Sequence, residues 1–204
     1  FKQKTAYEIV DCDWSSDVCS SDLLQERALS PEYEIVVQID QDNHTKEVLG
    51  VIINRGIKHW FFPLNKDFAT YKNELTKHCL GDFIFQIDAD EIPSIELLNM
   101  LPDILEMNPE IDVYLVPRIN TVSGITKEHI LKWGWRYENE RVNWPDYQWR
   151  IYRNDKSIRW KNKVHEVLDG YKQFAPLPDQ DEFCLLHPKT IERQEKQNQF
   201  YNTL

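Results

Sequence analysis

The sequence predicts an α/β domain with a mostly parallel central sheet, flanked by helices and followed by a mixed, β-rich C-terminal half. Three observations carry this prediction. Short apolar runs alternate with segments of helical spacing, strand-forming residues dominate those runs, and two of the runs end in carboxylates. An order of strand, helix, strand, helix, strand is typical of layered α/β domains.

The individual elements follow from local patterns. Residues 83–87 are a short apolar run bounded by Gly81 and Pro93, which favours a buried strand. Ser94 is a good N-cap for the next helix, and Pro102 is expected to break or restart that helix. The remaining predicted elements are strands at residues 34–39, 57–62, 113–116 and 183–186, and helices at residues 45–53, 67–80 and 190–204.

The strand at residues 83–87 ends in Asp88, Ala89, Asp90 and Glu91. Residues two apart on an extended backbone point the same way, so the carboxylates of Asp88 and Asp90 are expected on one face, about 6–7 Å apart. Two anions so close repel each other unless a positive charge lies between them. The spacing therefore indicates a site for a hard divalent cation, Mg²⁺ or Mn²⁺, although solvated turn residues remain the alternative.

Composition restricts the class of protein. The chain has 204 residues, 41% hydrophobic and 28% charged, and a net charge of −10, which argues against binding nucleic acid. No apolar run reaches the roughly 18 residues that span a membrane, and no secretory signal is visible. We therefore expect a cytoplasmic protein. The four cysteines are scattered and predict neither a zinc site nor a disulfide framework.

Residues 133–160 hold five of the seven tryptophans. Bulky packing in a β-rich half of the core explains most of them. The functional alternative is an apolar platform for a sugar or lipid headgroup, for which Trp133, Trp135 and Trp144 are the candidates.

Residues 4–23 do not match the rest of the chain. They are polar, lack helix or strand periodicity, contain a near-repeat of Ser-Ser-Asp, and resemble a translated sequencing-adapter segment. We exclude such a segment from fold reasoning. The expected organisation is a non-native segment at residues 1–23 and a single domain at residues 24–204, truncated at its N-terminus and cut short at its C-terminus.

A set of motifs in this order and spacing resembles the inverting nucleotide-sugar glycosyltransferases of family 2, which have the GT-A fold. The subgroup it resembles most is related to lipopolysaccharide-core β-glucosyltransferases. The motifs are EIVVQID at residues 34–40, DFATYKN at 67–73, GDFIFQIDADE at 81–91, PDYQWRIYRN at 145–154, VHE at 164–166, and His187. The family's first strand has no counterpart, so it is expected to be missing.

The resemblance implies transfer of a sugar from a nucleotide-diphosphate sugar to a hydroxyl of a glycan or glycolipid acceptor, in cell-envelope glycan or lipopolysaccharide synthesis. It places the protein at the inner face of the cell membrane, where peripheral contact is expected. His187 would be the third metal ligand beside Asp88 and Asp90. Asp146 occupies the position of the base that takes the acceptor proton, with Glu166 as the second candidate. The residues expected to bind the nucleotide-sugar are Asp40, Asp42, Lys72, Asp88, Arg150 and Arg153.

Each of these assignments has a structural alternative. Asp146 can be an ordinary turn residue, the two arginines can form structural ion pairs, and either His165 or His187 can be a satisfied structural histidine. At the level of the chain, the alternatives are a nucleotidyltransferase or phosphotransferase, a carbohydrate-binding or scaffolding module, and an inactive glycosyltransferase fragment. A phosphate-cradling loop is hard to place with six glycines, which argues against the first of these.

Overall fold

The structure, a computed structural model, describes residues 5–8 and 33–201. Within these ranges the chain forms twelve strands and five α-helices. The strands are β1 (Thr5–Glu8), β2 (Tyr33–Asp40), β3 (Lys58–Phe62), β4 (Phe83–Gln86), β5 (Ile92–Pro93), β6 (Val113–Ser123), β7 (Tyr137–Glu138), β8 (Arg141–Arg153), β9 (Arg159–Lys161), β10 (Val167–Asp169), β11 (Phe174–Pro176) and β12 (Leu185–Thr190). The helices are α1 (Lys46–Asn54), α2 (Phe68–Thr76), α3 (Ile95–Met107), α4 (Lys127–Trp133) and α5 (Ile191–Tyr201).

Ten of these strands form one sheet, whose main path runs β3-β2-β1-β4-β8-β6-β12-β5. The first four strands of that path are mutually parallel, as the sequence predicted. The long strand β8 is antiparallel to both β4 and β6, so β4 and β6 run in the same direction. Because β12 is parallel to β6, the carboxyl ends of β4, β6 and β12 lie along one edge of the sheet.

The sheet is buried on both faces, as expected for a parallel sheet covered by helices. Alternate residues of β2 enter different clusters, with Val37 packing on one face and Val36 on the other. Leucines of α3 cover the first face, and Ala69 and Leu75 of α2 cover the second. No helix in the described ranges is both long and apolar enough to cross a membrane.

The helix α3 differs from its prediction, because it continues through Pro102 to Met107. Proline has no N–H to donate to the carbonyl four residues earlier, which is that of Leu98. In the structure the hydroxyl of Tyr33 donates to that carbonyl at 3.4 Å. The carbonyl that proline leaves without a helical donor therefore has another donor, and the helix persists. The predicted cap is confirmed, since Ser94 Oγ accepts from Leu97 N at 3.1 Å.

The prediction that the first strand is missing is also corrected. Strand β1 lies between β2 and β4 and pairs with both in parallel, so that position in the sheet is filled. It falls within residues 4–23, whose likeness to an adapter sequence stays an interpretation. Residues 9–32 lie outside the described part of the chain.

Candidate active site

A cavity of about 620 Å³ opens at the edge where β4, β6 and β12 end. Such an edge is where open α/β sheets bind ligands. The wall combines opposite charges with aromatic rings. Its charged and histidine residues are Lys72, Asp88, Asp90, Arg118, Asp146, Arg150, His165, Glu166, His187 and Lys189, and its larger aromatic residues are Phe68, Tyr71, Trp135, Trp149 and Trp160.

Asp88 follows β4 and is held by two cations. Arg150 Nη2 donates to Asp88 Oδ2, and Lys72 Nζ lies 3.8 Å from Asp88 Oδ1. Burial alone raises the pKa of Asp88, but the charges of Arg150 and Lys72 outweigh it and hold this pKa below its usual range. Asp88 is therefore an anion at neutral pH, and its charge is already matched within the protein.

Glu91 lies beneath the cavity and joins two arginines. Its side chain is fully buried, and it accepts from Arg150 Nε at 2.8 Å, Arg150 Nη2 at 2.7 Å and Arg118 Nη1 at 2.8 Å. It also accepts from the backbone N–H of Asp88 at 3.2 Å. Glu91 thus anchors both arginines and the turn that carries the first aspartate, while its own side chain does not line the cavity.

Asp146, the predicted base, is held by several donors. Its Oδ2 accepts from Arg118 Nη2 at 2.7 Å and from Asn120 Nδ2 at 2.8 Å, and its Oδ1 accepts from Gln148 Nε2 at 2.7 Å. Burial raises the pKa of Asp146, but the Arg118 charge and these hydrogen bonds outweigh it and lower the pKa below its usual value. A carboxylate stabilised in this way is a weak proton acceptor.

Asp90 and His187 contact each other, with His187 Nε2 at 3.1 Å from Asp90 Oδ2. His187 lies inside β12 and not after a strand, and its Nδ1 contacts Asn120 Oδ1 at 2.5 Å. Burial lowers the pKa of His187 more than Asp90 raises it, so the imidazole is neutral near pH 7. Lys189 Nζ and Arg193 Nη2 lie 3.6 Å and 3.4 Å from the same Asp90 oxygen.

The three predicted metal ligands do not converge. In residues 5–8 and 33–201, no three His, Cys, Asp or Glu side chains are arranged to hold a metal ion. Asp88 faces Arg150 and Lys72. Asp90 meets His187, and Lys189 and Arg193 lie near the same oxygen. A neutral imidazole and a carboxylate suit Mn²⁺, and Mg²⁺ commonly takes one or two carboxylates and completes its shell with substrate phosphates. The pair offers two protein ligands at most, so a divalent cation bound there would take its remaining ligands from substrate.

Glu166 projects into the cavity from the segment between β9 and β10. Its Oε1 accepts from Lys72 Nζ at 2.6 Å, and this is its one hydrogen-bonded ion pair within the described residues. Lys72 Nζ also lies 4.5 Å from the centre of the Trp160 ring. The buried lysine thus connects Glu166 with Asp88 across one wall of the cavity.

Several predicted residues lie elsewhere. The prediction for Arg153 is corrected, because it pairs with Asp112 and packs over Phe83 at the opposite end of β4. Asp40 is buried and accepts from the backbone N–H groups of Asp42 and Leu64, which ties two loops together. Neither Asp40 nor the exposed Asp42 lines the cavity.

The predicted acceptor tryptophans are divided between three environments. Trp135 lines the main cavity. Trp133 does not, and its ring lies 4.6 Å from that of Trp135. Trp144 packs under Arg141 in a separate pocket of about 210 Å³.

Sequence reasoning missed four residues that hold the site together: Arg118, Asn120, Gln148 and Lys189. Two of them, Arg118 and Asn120, alternate on β6, and Gln148 alternates with Asp146 and Arg150 on β8. The available signal was this alternation of polar residues within otherwise apolar strands, which marks one face of a strand as polar. The local sequence did not indicate which residues on other strands they contact.

The fold is of the GT-A type, as comparison with solved structures shows. Structures of S. aureus TarS 1–349 match this chain. The complex with UDP-GlcNAc has a TM-score of 0.58 and 17% identity, over 91% of this chain and 58% of that chain. The complex with UDP has a TM-score of 0.57 and 16% identity, over 91% of this chain and 60% of that chain. At such identities the likeness establishes the fold alone.

This chain spans about three fifths of the length of those TarS structures. No protein-family model and no curated protein sequence matches it.

Proposed function

We propose that this chain belongs to a glycosyltransferase that moves a sugar from a nucleotide-diphosphate sugar to an acceptor hydroxyl with inversion. The observation that carries the proposal is the cavity at the carboxyl edge of a GT-A-type sheet, lined by Asp88, Asp90, Glu166 and His187. TarS, which shares the fold, binds UDP and UDP-GlcNAc in its crystal structures. We further propose cell-envelope glycan or lipopolysaccharide synthesis at the cytoplasmic side of the membrane, on the resemblance described above.

The donor end of the cavity centres on Asp90. Asp90 and His187 would hold Mg²⁺ or Mn²⁺, which as a Lewis acid would neutralise charge on the leaving diphosphate. Lys189 and Arg193 lie beside Asp90 and provide further positive charge for phosphate oxygens. The fork of Arg150 is engaged by Glu91 and Asp88, so we assign Arg150 to positioning Asp88 and not to binding phosphate.

The acceptor end requires a base. Inversion needs a carboxylate that accepts the hydroxyl proton while the oxygen attacks the anomeric carbon. Asp146 has both oxygens occupied by donors and a lowered pKa, whereas Glu166 is bonded to Lys72 alone among the described residues. We therefore assign the base to Glu166 and give Asp146 the role of orienting Arg118 and Asn120.

Calorimetric titration and a turnover assay test these assignments together. Titration of a nucleoside diphosphate with and without Mn²⁺ should show metal-dependent binding that Asp90→Asn weakens at least tenfold. Glu166→Gln should bind the donor normally but lower turnover by about 10²–10⁴-fold, the range for loss of a general base. Asp103→Asn, an exposed change on α3, is the control and should match the wild type.

The same experiment separates the alternatives. Binding of free sugars without nucleotide or metal would favour a carbohydrate-binding module, in which the aromatic rings of the cavity contact the sugar. Metal-dependent nucleotide binding without any turnover would favour an inactive fragment. Metal-independent binding that is unchanged in Asp90→Asn would contradict the donor-site assignment.

A further inference from the structure

The helix α4 and the residues that follow it expose an unusual set of side chains. None of the seven residues of α4 is buried, and Leu131 is 81% exposed. Tyr137, four residues beyond Trp133, is 42% exposed. A short helix normally owes its stability to an apolar face packed on the core. In α4, Ile130 and Trp133 are only partly buried, and Leu131 is directed to solvent.

The charge of this segment is opposite to that of the whole chain. Residues 127–136 contain three basic side chains, Lys127, Lys132 and Arg136, and one carboxylate, Glu128, a local charge of +2. Glu195 of α5 lies 3.8 Å from His129 of this segment. The chain as a whole carries −10. A basic, apolar surface is complementary to an anionic surface, whereas symmetric pairing with the same segment of a second copy would bring like charges together.

The position of the segment relates it to the cavity. It follows β6 at the sheet edge where the cavity opens, and Trp135 forms part of the cavity wall. Trp133 lies against Trp135, with ring centres 4.6 Å apart, and also stacks on His129, with ring centres 5.1 Å apart. The exposed surface and the cavity wall are therefore continuous through one pair of tryptophans.

We propose that residues 127–137 dock the protein on an anionic lipid bilayer, with Leu131 and the tryptophan pair entering the headgroup region. Basic residues near such a surface are attracted to anionic lipids, while tryptophan and tyrosine favour the membrane interface. Docking places the mouth of the cavity beside the membrane. The identity of the acceptor as lipid-linked rests on the proposed function, but the docking itself does not.

Flotation with lipid vesicles tests the docking without any need for catalysis. The whole chain is mixed with vesicles of phosphatidylcholine alone or with phosphatidylglycerol added. We expect binding to the anionic vesicles that weakens in high salt and is at least tenfold weaker with phosphatidylcholine alone. Leu131→Asp should lower binding to anionic vesicles by at least tenfold, because it replaces the inserted leucine with an acid.

The matched control is Leu80→Asp. Leu80 is 72% exposed and precedes β4, at the opposite end of the sheet from the cavity. The Leu80→Asp substitution adds the same charge and removes the same side chain as Leu131→Asp. Because Leu80 lies far from the docking segment, vesicle binding by this variant should equal that of the wild type. Circular dichroism and thermal unfolding establish that both variants fold.

Three outcomes would overturn the proposal. One is a wild-type chain that does not float with anionic vesicles. Another is equal binding by the Leu131 and Leu80 variants. The third is a concentration-dependent dimer, measured by light scattering, that Leu131→Asp dissociates, since a second copy would then occupy the surface. A wild-type chain that floats with anionic vesicles but shows no glycosyltransferase turnover would contradict the proposed function only.

Discussion

At the scale of single residues, Glu91 determines how the charges of the cavity are arranged. It is a fully buried carboxylate that receives three hydrogen bonds from the guanidinium groups of Arg118 and Arg150. Each of those arginines holds a further carboxylate at the cavity wall, Asp146 or Asp88. Glu91 is thus the common partner of two neighbouring cations, the buried Arg150 and the partly buried Arg118.

Replacing Glu91 tests this role. Glu91→Gln keeps the shape of the side chain but removes the buried charge that pairs with Arg150 and Arg118. Breaking a buried pair by removing one partner typically costs about 3–5 kcal/mol, so we expect the free energy of unfolding to fall by about 3 kcal/mol. Urea denaturation measures the change, and Glu106→Gln, an exposed glutamate on α3, should change stability by less than about 0.5 kcal/mol. A loss below about 1 kcal/mol for Glu91→Gln would show that the arginines find other partners.

At the scale of elements, the strand β8 shows what the sequence could and could not predict. The strands β2 and β4 were predictable because each is a local apolar run with acids at its end. The pairing of β8 with β4 was not, because it joins Phe83 to Arg153, which are 70 positions apart in the chain. Nothing local specifies such a partner.

The error for Arg153 follows from the same strand. A strand rises by about 3.4 Å per residue and alternates its side chains between faces. Arg153 therefore lies about 10 Å further along β8 than Arg150 and on the opposite face. Arg150 reaches the cavity, whereas Arg153 reaches the start of β4. The sequence placed both arginines on one strand but did not indicate where β8 pairs with β4, and therefore which arginine reaches the cavity.

The hairpin of β9 and β10 allows a prediction for one element. Gly170 follows β10 with φ of +88°, and a Cβ there would lie 1.9 Å from the carbonyl oxygen of Ser157. Gly170→Ala should lower the free energy of unfolding by at least about 2 kcal/mol, since both backbone strain and a backbone clash oppose it.

A matched glycine-to-alanine substitution should change the free energy of unfolding in the opposite direction. Gly50 lies within α1, and a Cβ there meets no atom within 4 Å. Gly50→Ala should raise stability by about 0.5–1 kcal/mol, because alanine restricts the unfolded chain and favours helix. Urea denaturation of both variants gives the comparison. Equal effects of the two substitutions would contradict the geometry of the hairpin.

At the scale of the whole molecule, the cavity is assembled from segments that are distant in sequence. Arg118 lies 27 positions from Glu91 and 28 from Asp146, and His187 lies 97 from Asp90. Strand ends in a parallel sheet share an edge, which predicted that the acids would lie there. The resemblance added His187, which meets Asp90 but lies inside β12 and not at a strand end. The cations that neutralise the acids could not be predicted, since their positions depend on the register between β6 and β8, which includes two irregularities.

The C-terminal helix α5 completes one side of the cavity. Gln194 and Gln197 line the wall, Arg193 reaches Asp90, and Lys189 of β12 donates to Gln197 Oε1 at 2.6 Å. The helix is otherwise polar, with little apolar surface to pack, so its stability is expected to depend on these contacts. We therefore expect a ligand bound at Asp90 to stabilise the whole of α5.

Hydrogen exchange measures that response. Addition of a nucleoside diphosphate with Mn²⁺ should slow amide exchange in α5 and in the turn at residues 88–91, because bound phosphate would join Arg193 and Asp90 in one network. Helix α1 contributes no residue to the cavity wall and should exchange as before. Asp90→Asn should remove the protection of α5 at the same ligand concentration. Equal protection of α1 and α5 would instead mean that the ligand stabilises the fold as a whole. Unchanged exchange in α5 would mean that this helix is not coupled to the donor site.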